Sequence, residues 1–273
     1  MSMANSKKKF LIKDWNEFVK QGRGCGRFEN YRPAFTVSEV CSNAQRQRVH
    51  IRRFCRTFEL MSHGETLSLF KLDWDDSVIE VREQFPLNPL ITTKIARKLK
   101  LYHPGYAMGG TIMTTDFLVT YRKADGSVYK KAFQIKHSEA DLENKRTLAK
   151  LSIESAYWTR LNVPWCVVLS SSFNKILCDN LEILHPYRET NYTENDLKFI
   201  YDILKQEIAC NGYLHYENAV GELDSLPDLK CSISVTDGLK ILLSHKYLSF
   251  PDHDKLLTDC YLKDFKENRH VQR

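Results

Sequence analysis

The stretch "TIMTTDFLVTYRKADGSVYKKAFQIK", residues 111–136, limits what this chain can fold into more than any other. Two runs of alternating apolar residues flank an Ala-Asp-Gly-Ser turn signal, the pattern of a β-hairpin. Strand side chains alternate between faces, so burying Phe117 and Val119 beside Phe133 and Ile135 fixes the register. Facing residues of an antiparallel pair have a constant index sum, which here must be even, such as 250 or 252. A two-residue Asp125-Gly126 loop would make the sum odd and mix the faces. The pattern therefore predicts a loop with an odd number of residues, or a bulge, with Gly126 in the left-handed region. The same register sets Asp116 across from Gln134 or Lys136, on the face opposite the apolar set. A strand with one solvated face shows this alternation too, and Asp, Gln and Lys are commonplace there.

Glu65 bears on that choice. Ser62 reads as the N-cap of a helix in which Glu65, Leu69 and Leu72 share one stripe. A glutamate on an apolar stripe is costly to bury unless it is paired or holds a metal, although first-turn placement also gains from the helix dipole. Two carboxylates and an amide oxygen suit hard Mg2+ ions, which neutralise charge developing on a phosphodiester under attack. Lys136, on the face of Gln134, can orient the attacking water. Glu154, three residues after Leu151 and four before Trp158, is a candidate for a second metal shell or for a solvated helix face.

A net charge of +6 and a pI near 8.8 fit a polyanionic partner without demonstrating one. The bases cluster at Lys7, Lys8 and Lys9 and again at Arg46, Arg48, Arg52, Arg53 and Arg56. The arginine run is either a solvated face or a grip on DNA phosphates. Eight cysteines without a C-x-x-C speak against zinc and against a disulfide framework. With no long apolar run and no signal-like start, the expectation is a reducing, cytoplasmic setting. The glycines of "QGRGCGRFENYRP" invite a phosphate-loop reading, but no Gly-Lys-Ser/Thr follows.

Along the chain the patterns predict a helix through Trp15 and Phe18, strands at "FTVSEV" and "RVHIRRFCR", and a strand "VIEVREQF" ending at Pro86. "DLENKRTLAKLSIESAYWTRLN" reads as one helix of about five turns and "WCVVLS" as a buried strand. Strand, helix, strand implies a parallel crossover, hence an α/β fold with a mixed sheet flanked by helices. Past Ser170 helical patterns dominate, which divides the chain into 1–172 and 173–273. The helix from Thr236 to His245 is read as core packing first, protein contact second and DNA recognition third.

Glu65, Asp116 and Gln134-Ile135-Lys136 resemble the restriction-endonuclease-like nuclease pattern, an acid on a helix followed by Asp and Gln-x-Lys on a hairpin. With "LDW" at 72–74, "VREQFPL", "TTDFLV", "FQIK", "RTLAKLSIESAYW" and "PW" around them, the chain is similar to the TnsA family from about residue 20 to 170. These are endonuclease subunits of heteromeric bacterial transposases. The resemblance implies a restriction-endonuclease-like catalytic domain and a smaller, winged-helix-like C-terminal interaction domain. It implies catalytic Glu65, Asp116, Gln134 and Lys136, with the first three holding Mg2+, two ions in number, for which Mn2+ could substitute. It also implies double-stranded DNA at transposon ends as substrate, cut at the 5′ ends. The implied partners are a DDE-type, TnsB-like transposase and a TnsC-like regulatory ATPase that meets the C-terminal domain. Two other readings fit parts of the sequence: a catalytically inactive DNA-binding or assembly module, and a stand-alone restriction or repair nuclease.

Overall fold

The computed structural model describes residues 11–40, 45–106, 109–226 and 232–268. The lysines at 7–9, the start "MSMANSKKKF" and the cysteines at 41 and 231 lie outside them. Two compact units form, Met1–Phe173 and Asn174–Arg273. Among the described residues no helix is long and apolar enough to cross a membrane.

In the first unit the elements run α1 (Trp15–Lys20), β1 (Gln47–Ile51), β2 (Arg56–Leu60), α2 (His63–Trp74), β3 (Val78–Pro86), α3 (Pro89–Lys98), β4 (Gly105–Tyr106), β5 (Gly109–Gly110), β6 (Thr114–Arg122), β7 (Val128–Lys136), α4 (Ala140–Glu143), α5 (Lys145–Arg160) and β8 (Trp165–Leu169). The central sheet has the order β3-β6-β7-β8. Its first three strands are antiparallel and β8 joins β7 in parallel, so the sheet is mixed and flanked by helices. That is the architecture expected from the sequence.

The hairpin keeps the even register. Phe117 faces Phe133 and Tyr121 faces Tyr129, pairs whose indices each add to 250. Five residues, 123–127, close it. Gly126 sits at φ +81°, and the Asp125 carboxylate accepts the Ser127 N–H at 2.8 Å. The β6–β7 ladder stops at Phe117 and Phe133 although both strands run on toward Thr114 and Lys136.

The core under the sheet gathers Leu87, Met113, Leu118, Ala132, Ile153 and Trp158. Trp158 is only 2% exposed and donates its indole N–H to the Thr115 hydroxyl at 2.7 Å. Truncating a tryptophan so placed typically costs about 3–5 kcal/mol. A buried ion pair, Arg56 with Glu83, ties β2 to β3.

Four sequence expectations are corrected here. The strand "RVHIRRFCR" ends at Ile51, where a turn over Arg52–Phe54 and Cys55 at φ +52° reverse the chain into β2. "FTVSEV" is a turn, not a strand. The Glu39 carboxylate accepts the Thr36 N–H at 3.1 Å and pairs with Arg23 at 2.5 Å, while Glu59 takes the Val37 N–H at 2.7 Å, so side chains satisfy the backbone a ladder would need. The single long helix after Lys136 is broken at Asn144, whose ψ is 116° and whose side chain caps α5 through the Arg146 and Thr147 N–H groups. β8 is half-buried rather than buried, because it forms the sheet's edge. The glycine-rich segment proves structural. A Cβ on Gly24 would lie 2.1 Å from the Pro86 ring, so this loop packs its backbone against the end of β3.

The second unit holds α6 (Lys175–Arg188), α7 (Glu194–Asn211), α8 (Tyr216–Asp224), α9 (Val235–Ser244) and a short antiparallel pair, β9 (Leu248–Ser249) with β10 (Lys266–Glu267). In α9, Leu239, Ile241 and Leu242 are buried, so its apolar face is core.

Candidate active site

The site begins at the cap of α2. Ser62 Oγ accepts the Glu65 N–H at 3.2 Å. The Glu65 carboxylate replies, accepting the Ser62 hydroxyl at 3.1 Å and the Met61 N–H at 3.0 Å. This reciprocal capping fixes where the carboxylate sits. Gln84 Nε2 donates to the same Oε2 at 3.0 Å. Glu65 is 5% exposed, and burial followed by repulsion from Asp116 pushes its carboxyl up to about 8.

Asp116 lies where the β6–β7 ladder ends. Its Oδ2 accepts the Gln134 side-chain N–H at 2.6 Å and the Ile135 backbone N–H at 2.7 Å. Burial raises its carboxyl above the ordinary range, against the opposing pull of the Lys136 ammonium. Lys136 Nζ donates to the Ile135 carbonyl at 3.0 Å. Gln134 completes the arrangement with an imbalance: its amide N–H is used, but its carbonyl oxygen is buried and meets no donor.

Glu65, Asp116, Gln134 and Lys136 line one cavity of about 670 Å³. Two buried carboxylates beside one ammonium are under-neutralised, and an unmet carbonyl oxygen is a ready ligand for a hard cation. Among the described residues no three His, Cys, Asp or Glu side chains converge. The donor set is therefore two carboxylates and neutral oxygens, which fits a cation of the Mg2+ kind and not a zinc centre.

Glu154 does not line this cavity and does not lie on a solvated face. It is 2% exposed, and its Oε1 accepts the Thr115 hydroxyl at 2.6 Å and the Trp165 indole N–H at 2.9 Å. It stands behind Asp116, reaching it through the neighbouring Thr115. Burial pushes its carboxyl up to about 8. The arginine run is largely spent within the fold. Arg46 donates to the Val37 carbonyl at 2.8 Å and to that of Val40. Arg48 pairs with Glu59 at 3.0 Å. Arg53 caps the end of α2 through the Asp73 and Asp75 carbonyls at 2.7 and 3.0 Å. Arg52 is exposed on the turn Arg52–Phe54.

Gln84 is the residue that sequence reasoning missed. Held at φ +45° in β3, it donates to Glu65 and accepts the Thr114 hydroxyl at 3.3 Å, and its amide helps to hold down the Asp116 carboxyl. Its signal lay in the β3–β6 register. Glu83 faces Phe117 and Phe85 faces Thr115, which leaves Gln84 opposite Asp116.

Residues 75–170 match the model of the TnsA-like endonuclease N-terminal family. The chain is also 30% identical, over 85% of its own length and 83% of the relative's, to the transposon Tn7 transposition protein TnsA of Escherichia coli.

Proposed function

The chain belongs to the TnsA family of transposase endonuclease subunits, and on that premise we propose that it is the Mg2+-dependent subunit that hydrolyses phosphodiesters at the 5′ ends of a transposon during cut-and-paste transposition. One observation supports this reading above the others. The buried Gln134 carbonyl oxygen is unmet beside two carboxylates that a single ammonium leaves under-neutralised.

Glu65, Asp116 and Gln134 would hold the ions, two in number, with Mn2+ able to substitute. Bound there, they supply positive charge to the phosphate in the transition state and acidify water. Water attacks phosphorus in line, the P–O3′ bond breaks, and 3′-hydroxyl and 5′-phosphate ends remain. Lys136 orients that water through its N–H donors. Gln84 fixes both carboxylates, and Glu154 braces Asp116 through Thr115. Few side chains here can read base edges, so duplex DNA is met mainly at its phosphates.

The partners in this proposal are a TnsB-like DDE transposase, which cuts and joins the 3′ ends, and a TnsC-like ATPase at the winged-helix-like C-terminal unit. The setting is the bacterial cytoplasm. The test is a strand-specific cleavage assay on a transposon-end duplex with Mg2+, with and without the partner transposase. Asp116→Ala and Lys136→Ala should lose 5′-end nicking while melting as folded proteins. Full nicking by either variant, with the partner present, would remove the assignment.

A further inference from the structure

A second cavity, of about 860 Å³, opens between the C-terminal end of α3 and the first two turns of α5. Lys100, Lys145, Arg146 and Lys150 line it, together with Tyr102, which is 97% exposed. Among the described residues no acidic partner faces Lys100, Lys145 or Lys150, and Arg146 makes only a 3.3 Å bond to the Gly105 carbonyl. Uncompensated like charges around a concavity oppose folding and attract anions.

This cleft adjoins the catalytic cavity. On α5, Lys145, Arg146, Ala149 and Lys150 face the cleft, while Thr147 lines the chamber of Glu65 and Asp116. The two share a field as well. Partial burial, then the charges of Arg146 and Lys136, depress the Lys150 ammonium. From Lys145 to Lys150 the helix rises about 7.5 Å, room for about two phosphates of one strand at 3.4 Å each. Tyr102 offers an aromatic face on which a sugar or base can rest. The rest of the lining is mostly glycine, aliphatic and basic, without the amide fork that reads adenine.

We propose that this cleft is the track for the phosphodiester backbone of the DNA strand flanking the scissile bond, recognised by charge and not by sequence. The inference rests on the nuclease reading of the neighbouring cavity. It also differs from the sequence expectation, moving the phosphate grip from the arginine run at 46–53 to the α3–α5 cleft.

The test uses the full chain in EDTA, where hydrolysis is off, and a fluorescently labelled duplex followed by anisotropy across a sodium chloride series. For the triple variant Lys100→Ala, Lys145→Ala, Lys150→Ala, the slope of log K against log salt should fall by about 2.7, at about 0.9 per phosphate contact. The matching Lys→Arg triple, checked by the same thermal melt, should keep the wild-type slope. An unchanged slope in the alanine triple, or no duplex binding by wild type at low salt, overturns the proposal. Failure of the nuclease reading shows separately, as undiminished cleavage by Asp116→Ala in Mg2+.

Discussion

Replacing Glu154 by glutamine should blunt the loss of stability that this unit suffers in alkali. Both donors to Glu154, the Thr115 hydroxyl and the Trp165 indole, fall on Oε1, so a glutamine carbonyl can accept both. What the substitution removes is the titration. In the folded chain burial pushes this carboxyl up to about 8, against an ordinary value of 4.5. The fold therefore holds a proton that the unfolded chain releases. The resulting stability is complete below about pH 4.5 and is lost as pH rises through about 8. At about 1.36 kcal/mol per pKa unit the full loss is about 5 kcal/mol, an upper bound once water relaxes around the charge.

Glu154→Gln should thus match wild type near pH 4 and exceed it by several kcal/mol near pH 9, the direction and window following from that shift. Urea unfolding in EDTA measures this cleanly. All four tryptophans, Trp15, Trp74, Trp158 and Trp165, lie in the first unit, so their fluorescence follows it alone. Glu65 and Asp116 have raised carboxyls too and slope the same way; subtraction of wild type from variant removes their own slopes and leaves that of Glu154 with its coupling to Asp116. A difference that stays constant between the two pH values refutes the reasoning.

Two further outcomes are expected. Gln84→Leu, which strips a donor from Glu65 and a polar neighbour from Asp116, should lower cleavage by about 10- to 100-fold and raise the Mg2+ midpoint, with duplex binding in EDTA unchanged. An unaltered Mg2+ titration would count against a positioning role. Gly126→Val, at φ +81° in the hairpin loop, should cost about 1–2 kcal/mol in urea unfolding without touching the site's chemistry; a neutral result would mean that the loop relaxes into another turn.

The hairpin and the Ser62 cap were legible because their signals are local. Alternation of period two, a turn glycine and a capping serine three residues before a glutamate are all visible within a few positions. Asn144 hid inside a pattern that reads as continuous helix, yet its side chain had already committed to capping α5. "FTVSEV" carries β-formers, but its backbone is claimed by Glu39 and by Glu59, the latter more than twenty residues away. The burial of Glu154 depends on Thr115, thirty-nine positions distant, and on Trp165. Arg53 finds its acceptors about twenty residues on, at the end of α2. Gln84 is the clearest case, because its role follows only from strand pairing. Contacts of that reach are set by tertiary structure, and single-sequence periodicity does not encode them.

The sheet comes unzipped at its chemical end. Beyond Phe117 and Phe133 the two central strands part, and a carboxylate, not a peptide carbonyl, takes the Ile135 N–H. Asp116 is thereby a wedge as well as an acid, driven into a fork whose opening belongs to the folded state. The cost of parting the strands, and of holding Asp116 and Gln134 where they stand, is thus met once, in folding, and not at every turnover.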